Sequence, residues 1–178
     1  MIRGPDITLR HIRRGDLEVL ATLLSDLDLR GEYLPSALAS PVDLEQKFAA
    51  DGVANDAFTR LLVVEKDSDR ILGTIWHFRS VPYFNAREIG YTMFSREHRG
   101  RGIATQAVRL LVRHLFDSLL INRLEIRMDT RNLASERVAV KCGFTKEGVA
   151  RGANFVRGRH VDMNVYALLR HELAQQAA

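Results

Sequence analysis

The stretch Arg99-Gly100-Arg101-Gly102-Ile103-Ala104 sits between a strand-like segment and a long amphipathic helix. Glycines there let the backbone turn tightly and bring its amides close to a ligand. A helix N-terminus adds unpaired N–H groups and the positive end of the aligned peptide dipoles. Together they predict a cradle for a phosphate or pyrophosphate. The dinucleotide fingerprint is excluded, because its third glycine and the ribose-binding acid are missing. A phosphate loop of the Lys-Ser/Thr type is excluded as well. The plain alternative is a glycine-rich helix entry with solvated arginines.

Working outward, Glu88 to Ser95 reads as the strand before this loop. Ile89, Tyr91 and Met93 share one face, and Glu88, Gly90, Thr92 and Phe94 the other. The helix after the loop runs from Ile103 to Leu119, with Ala104, Ala107 or Val108, Leu111 and Leu115 at helical spacing. Leu124, Ile126 and Met128 alternate with charged residues, as in a strand. Leu133 to Cys142 is a helix stopped by Gly143. Phe144 to Ala150 and Val161 to Leu168 close the chain as a strand pair, followed by a short polar helix. Toward the N-terminus, Asp6 to Ile12 is a first strand. Asp16 is placed to cap a helix carrying Leu17 to Leu27, and Ser40-Pro41 opens a second helix that ends at Asp51-Gly52. Leu61 to Val64 and Ile71 to Phe78 are strands joined by a turn at Asp67-Ser68-Asp69. Helices interleave with strands, so the class is mixed α/β with a mixed sheet.

The chain of 178 residues is expected to form one domain, residues 1–178. Its 46% hydrophobic and 27% charged residues exclude wholesale disorder. A single cysteine, Cys142, excludes an internal disulfide framework and a multi-cysteine zinc site. No uncharged apolar run approaches the ~18 residues of a membrane span, and the N-terminus lacks a signal-peptide core. A cytoplasmic setting with no membrane partner is the expectation. Nearly all of the basic side chains are Arg, the exceptions being Lys47, Lys66, Lys141 and Lys146. Arg suits bidentate recognition of phosphate or carboxylate, so both a small anion and nucleic acid fit the charge of +4.

A second segment, Asn132-Leu133-Ala134-Ser135-Glu136-Arg137-Val138-Ala139-Val140-Lys141-Cys142-Gly143-Phe144, follows the next strand. The two segments together resemble the Gcn5-related N-acetyltransferase (GNAT) superfamily. Arg99, Gly102 and Ala104 match one of its motifs; Asn132, Ser135, Lys141, Gly143 and Phe144 match another. Ile7-Thr8-Leu9-Arg10, Glu88-Ile89-Gly90-Tyr91 and the tail from Asp162 to Tyr166 are similar to the branch that acetylates ribosomal-protein N-termini. The resemblance implies a mostly antiparallel central sheet flanked by helices, with a splayed strand pair holding the acyl-CoA. It implies an acetyl-CoA donor, a primary-amine acceptor, direct attack in a ternary complex and no metal. Nucleic acid is then not expected as a partner, and dimers are common among such proteins.

By the same resemblance, Met93, Phe94 and Ser95 would pair with the donor, and its pyrophosphate would sit on Arg99, Gly100, Arg101, Gly102, Ile103 and Ala104. Asn132 would bind the pantetheine arm and Ser135 would lie near the sulfur. The chemistry needs a base for the ammonium, and Glu88 is the first choice, with His77 and His11 behind it. Asp129 and Asp162 are further carboxylates. Two departures stand out: Ala139 replaces a common Tyr acid, leaving the Ser135 hydroxyl as substitute, and Asn154 stands where an acidic base is found in the branch. Arg30 to Phe58, Val81 to Ala86 and Gly152 to His160 are expected to form the acceptor side. The other readings are a non-catalytic acyl-CoA-binding module, and an acyltransferase using a larger or carrier-bound acyl group.

Overall fold

The computed structural model describes all residues except 37, 39, 82, 96, 98, 99, 177 and 178. Its strands are β1 (Ile2–Arg3), β2 (Ile7–His11), β3 (Phe58–Glu65), β4 (Ile71–Phe78), β5 (Ala86–Met93), β6 (Arg123–Asp129), β7 (Thr145–Val156) and β8 (Arg159–Leu169). Its α-helices are α1 (Leu17–Ser25), α2 (Leu27–Arg30), α3 (Pro41–Asp51), α4 (Ile103–Ser118), α5 (Leu133–Lys141) and α6 (Arg170–Gln176). The strands form one sheet in the order β1-β2-β3-β4-β5-β6-β8-β7. Only β5 and β6 run parallel; every other neighbouring pair is antiparallel.

Helix α4 covers one face. Ala107, Val108, Leu111, Val112, Leu115 and Phe116 are its buried residues, a stripe at helical period. They pack with Ile75, Ile89, Leu124, Ile126 and the start of β2. Each fully buried aliphatic side chain contributes about 1.5–3 kcal/mol. The opposite face, with Leu62, Val64 and Phe94, is covered by Leu20 and Ala21 of α1 and Leu44 of α3. Helix α3 begins as the sequence predicts: Ser40 Oγ accepts from the Asp43 amide at 3.4 Å and Pro41 opens the first turn. It ends on Gly52, whose φ of 69° suits glycine.

The position of the site follows from one feature of the sheet. β5 and β6 pair only at Ala86↔Arg123, Arg87↔Leu124 and Glu88↔Glu125. Beyond that point β5 continues to Met93 and β6 to Asp129 with no pairing between them. Each strand is held on its outer side: β4 pairs β5 from Glu88 to Met93, and β8 pairs β6 along its whole length. The inner edges are therefore free to bond something else.

Several expectations need correction. Leu27 does not continue α1; Asp26 interrupts the helix and accepts the Asp28 and Leu29 amides at 2.9 and 3.0 Å, starting α2. Asp16 makes no capping bond to α1. Its carboxylate instead takes the buried Arg10 guanidinium at 2.7 and 3.0 Å and the Arg13 amide at 2.7 Å. The closing strands run beyond Ala150 and start before Val161, so most of Gly152 to His160 belongs to the end of the long β7–β8 hairpin, tied to the α2 region by Arg157 donating to the Leu27 and Gly31 carbonyls. The alternation over Leu124 to Met128 does form the strand β6, and its acids Glu125 and Asp129 are buried in ion pairs with arginines.

Burial pushes the Asp16 carboxyl upward, but Arg10 and the Arg13 amide outweigh it and hold it below its ordinary value. Its stabilising effect is thus present above the unfolded-state carboxylate pKa and lost as pH falls through the lower folded value. Asp16→Ala leaves Arg10 with Asp69 as its remaining carboxylate partner, so urea unfolding at neutral pH should show a loss of about 3 kcal/mol. A loss below about 0.5 kcal/mol would show that Asp69 alone compensates the buried guanidinium.

Candidate active site

A cavity of about 800 Å³ fills the fork between β5 and β6. At one end lies the start of α4. Gly100 and Gly102 have φ of 75° and 80°, left-handed conformations that explain why both are glycine. Among the described residues no side chain caps α4, and no acid stands in its first turn, so its leading amides are open to an acceptor. Gly100, Gly102, Ile103 and Ala104 line the cavity, and Arg137 and Lys141 of α5 add positive charge to the same wall. Arg101 is exposed and outside the lining, and Arg99 lies outside the described residues.

Met93 lines the cavity, while Phe94 and Ser95 do not. The Phe94 amide is spent on the Leu72 carbonyl at 2.9 Å, and its ring is buried under α1 and α3. Ser95 Oγ accepts the Glu97 amide at 3.1 Å. Asn132 caps α5, its Oδ1 accepting from the Ser135 amide at 3.1 Å. That bond sets the position of Ser135, whose Oγ lies 2.7 Å from the Tyr91 hydroxyl. Burial pushes the Tyr91 phenol far above its ordinary pKa, against a smaller opposing effect of Ser135, so it stays protonated. Tyr91 escaped the sequence reading because its face of β5 is apolar; the start of α5 meeting that face gives it a polar partner.

Glu88 stands at the point of the fork. Its carboxyl is mostly buried and pairs with Arg127 Nε at 3.5 Å. Burial raises its pKa, and the neighbouring Glu125 adds to this; Arg127 and Ser80 oppose it without cancelling it. The result is a carboxylate poised to take a proton. His77 is on the opposite face of the sheet, since Phe78 pairs with Glu88 while His77 pairs with Ile89. Burial, with the Arg87 charge, pulls it down to about 4. His11, at the end of β2, lines neither major cavity. Asp129 is bound by Arg131 at 2.6 and 2.9 Å, and Asp162 accepts the Gly152 amide at 2.8 Å. Asn154 lines the cavity but its Oδ1 accepts its neighbour's amide at 2.9 Å. Cys142 is buried, its thiol pushed up to about 11 by desolvation, and is a packing residue.

Trp76 lies across Gly90 on the face that carries Glu88. A Cβ at Gly90 would collide with the indole, so glycine there makes room for the ring. Trp76 is also the chain's one tryptophan.

A forked sheet with uncapped amides at the start of a long helix is the arrangement that the GNAT resemblance implies. The family model described as the acetyltransferase (GNAT) domain matches residues 6–145, and the chain belongs to that family. It is an N-acetyltransferase. The chain is 30% identical over 176 residues to an uncharacterized N-acetyltransferase, p20, of Bacillus licheniformis, covering 94% of this chain and 95% of that one. It is 32% identical over 110 residues to the ribosomal-protein-serine acetyltransferase of Escherichia coli, 62% of this chain and 60% of that one. Among solved structures, the spermidine N-acetyltransferase of Vibrio cholerae in complex with CoA and spermine has a TM-score of 0.82 at 20% identity, covering 96% of this chain and 99% of that one.

Gly90→Ala should displace the indole, cost about 1–3 kcal/mol in urea unfolding and shift the fluorescence maximum of Trp76. An unchanged spectrum and stability would mean the ring does not depend on that glycine.

Proposed function

We propose that residues 1–178 form one domain that transfers an acetyl group from acetyl-CoA to a primary amine, on a protein N-terminus or a small metabolite. The observation that carries this reading is the fork, with free strand edges along it, unsatisfied helix amides at one end and a carboxylate of raised pKa at its point. The pyrophosphate of the donor is assigned to the amides from Gly100 to Ala104, where Arg137 and Lys141 supply countercharge. The amides of pantetheine are assigned to the free edges of β5 and β6, with Asn132 alongside. The proposed chemistry draws on no metal, and a cytoplasmic setting is part of the same proposal.

Glu88 takes the proton from the bound ammonium, directly or through water. The free amine attacks the thioester carbonyl carbon, forming the C–N bond and an oxyanion. A backbone N–H on the inner edge of β5 stabilises that charge. The C–S bond then breaks and the nitrogen sheds its second proton to water; the leaving sulfur takes a proton from the Ser135 hydroxyl, which recovers one from water through the hydrogen-bonded Tyr91 hydroxyl, so that both hydroxyls end protonated. Holding both reactants in the fork supplies much of the rate.

Calorimetric titration with CoA, acetyl-CoA and larger acyl-CoAs tests the donor site. Micromolar binding should weaken about 10- to 100-fold in Gly102→Glu, which strains the turn and sets a negative charge on the cradle. Absence of binding to the folded wild-type protein would overturn the donor assignment and direct attention to a carrier-bound acyl group. For the base, kcat/KM should rise with pH along a limb lying above the ordinary carboxylate range. Glu88→Gln should lower kcat by about 10²–10⁴-fold and remove that limb. An unchanged rate and profile would assign the proton transfer to another group.

A further inference from the structure

A second cavity, of about 580 Å³, opens between the sheet and helices α1 and α3. Trp76, Thr92, Arg30 and Leu34 line both it and the fork, so the two spaces adjoin. The strand register places its main charge. Arg60, Trp76 and Gly90 lie side by side across β3, β4 and β5, and Glu88 is two residues along β5 on the same face. Arg60 is therefore roughly 10 Å across the strands and roughly 7 Å along them from Glu88, backbone to backbone.

Among the described residues, no acid matches the charge of Arg60. Its Nε is buried with no hydrogen-bond partner, and among the described residues no carboxylate lies in ion-pair range. The two acids in the cavity wall are already engaged: Asp43 with Lys47 at 2.8 Å, and Asp51 with the Val53 amide at 2.8 Å and with Asn55. The guanidinium lies 5.3 Å from the Trp76 ring centroid and 5.5 Å from that of Phe58, which hold its planar fork in place. Burial, with the Arg30 charge added, pulls its pKa down to about 10, so it remains a cation at neutral pH. A partly buried cation without an anion is costly, and a preorganised guanidinium is built for bidentate contact with carboxylate or phosphate.

We propose that Arg60 is the anion anchor of the acceptor pocket, so that the amine acetylated by this enzyme carries a carboxylate or phosphate on the same small molecule. This deepens the acetyl-transfer reading and rests on it for the amine end, which Glu88 receives. Free amino acids and amino phosphates fit the description. Polyamines do not, because they would bring a second cation toward Arg60.

The test compares acetylation of L-amino acids with that of their amides, and of O-phosphoethanolamine with that of ethanolamine; spermidine is the cationic control. Wild-type enzyme should prefer the anionic member of a pair by about tenfold or more in kcat/KM. The better pair tells carboxylate from phosphate. Arg60→Met should bring the ratio close to one, and Arg60→Lys, which keeps charge without the fork, should retain part of it. Calorimetric CoA binding reports that each variant is folded. The same ligands titrated against Trp76 fluorescence read the pocket without turnover. A response to the anionic members that Arg60→Met removes supports the anchor even where no amine is acetylated; that last result would count against acetyl transfer alone. Equal use of amides, preference for spermidine, acetylation confined to the N-termini of peptides with amidated C-termini, or a ratio unmoved by Arg60→Met would overturn the anchor and leave acetyl transfer standing.

Discussion

The structure depends on where the parallel pairing of β5 and β6 stops. At that point Glu88 and Glu125 sit directly opposite each other. Two carboxylates in register repel, and both turn to one guanidinium: Arg127 reaches Glu125 at 2.8 Å and Glu88 at 3.5 Å. Arg123 holds Glu125 from the other side at 2.7 Å. The pair is thus pinned at its narrow end by ion pairs, while β4 and β8 draw the two strands apart beyond it. The raised pKa of Glu88 follows from its place at the closed end of this fork: that carboxylate is withdrawn from water beside a second one.

The sheet then divides the work between its faces. On one side α4 packs into the core with its apolar stripe and delivers its uncapped N-terminus to the wide end of the fork. On the other, α1 and α3 cover only part of the surface and leave room beside Arg60 and Trp76. Two kinds of glycine serve this arrangement. Gly100 and Gly102 supply left-handed turns at the helix entry, whereas Gly90 has no such conformation and supplies space for an indole.

What the sequence made legible was local. The period of α4, the Ser40-Pro41 start of α3 and the stops at Gly52 and Gly143 depend on neighbouring residues, and these features hold. The left-handed glycine turns and the uncapped helix start, proposed above as the phosphate cradle, were legible for the same reason. Tyr91 was not, because its hydroxyl finds Ser135 across 44 residues of chain. Asp16 looked like a helix cap by its neighbours, yet the buried Arg10 competes for it with two charge-assisted bonds and prevails. Arg60 lay just outside the apolar run from Leu61 to Val64; the strand starts earlier, at Phe58, and only the register with Trp76 reveals its setting.

On the proposed reading, Glu88 and Arg60 together are complementary to one kind of molecule. Glu88 sits in a partly dry site where its negative charge is disfavoured, and an arriving ammonium relieves that cost before accepting its role as proton donor. Arg60 is a cation held between two aromatic rings, and an arriving anion relieves its cost in turn. A neutral amine would satisfy neither group in full, and a polycation would satisfy one while burdening the other. A zwitterion spanning the two compensates both at once, fixing the amine at the fork by a contact made far from the reacting atoms. In that arrangement, binding energy gained at Arg60 would be spent on orienting the nucleophile toward the thioester carbon.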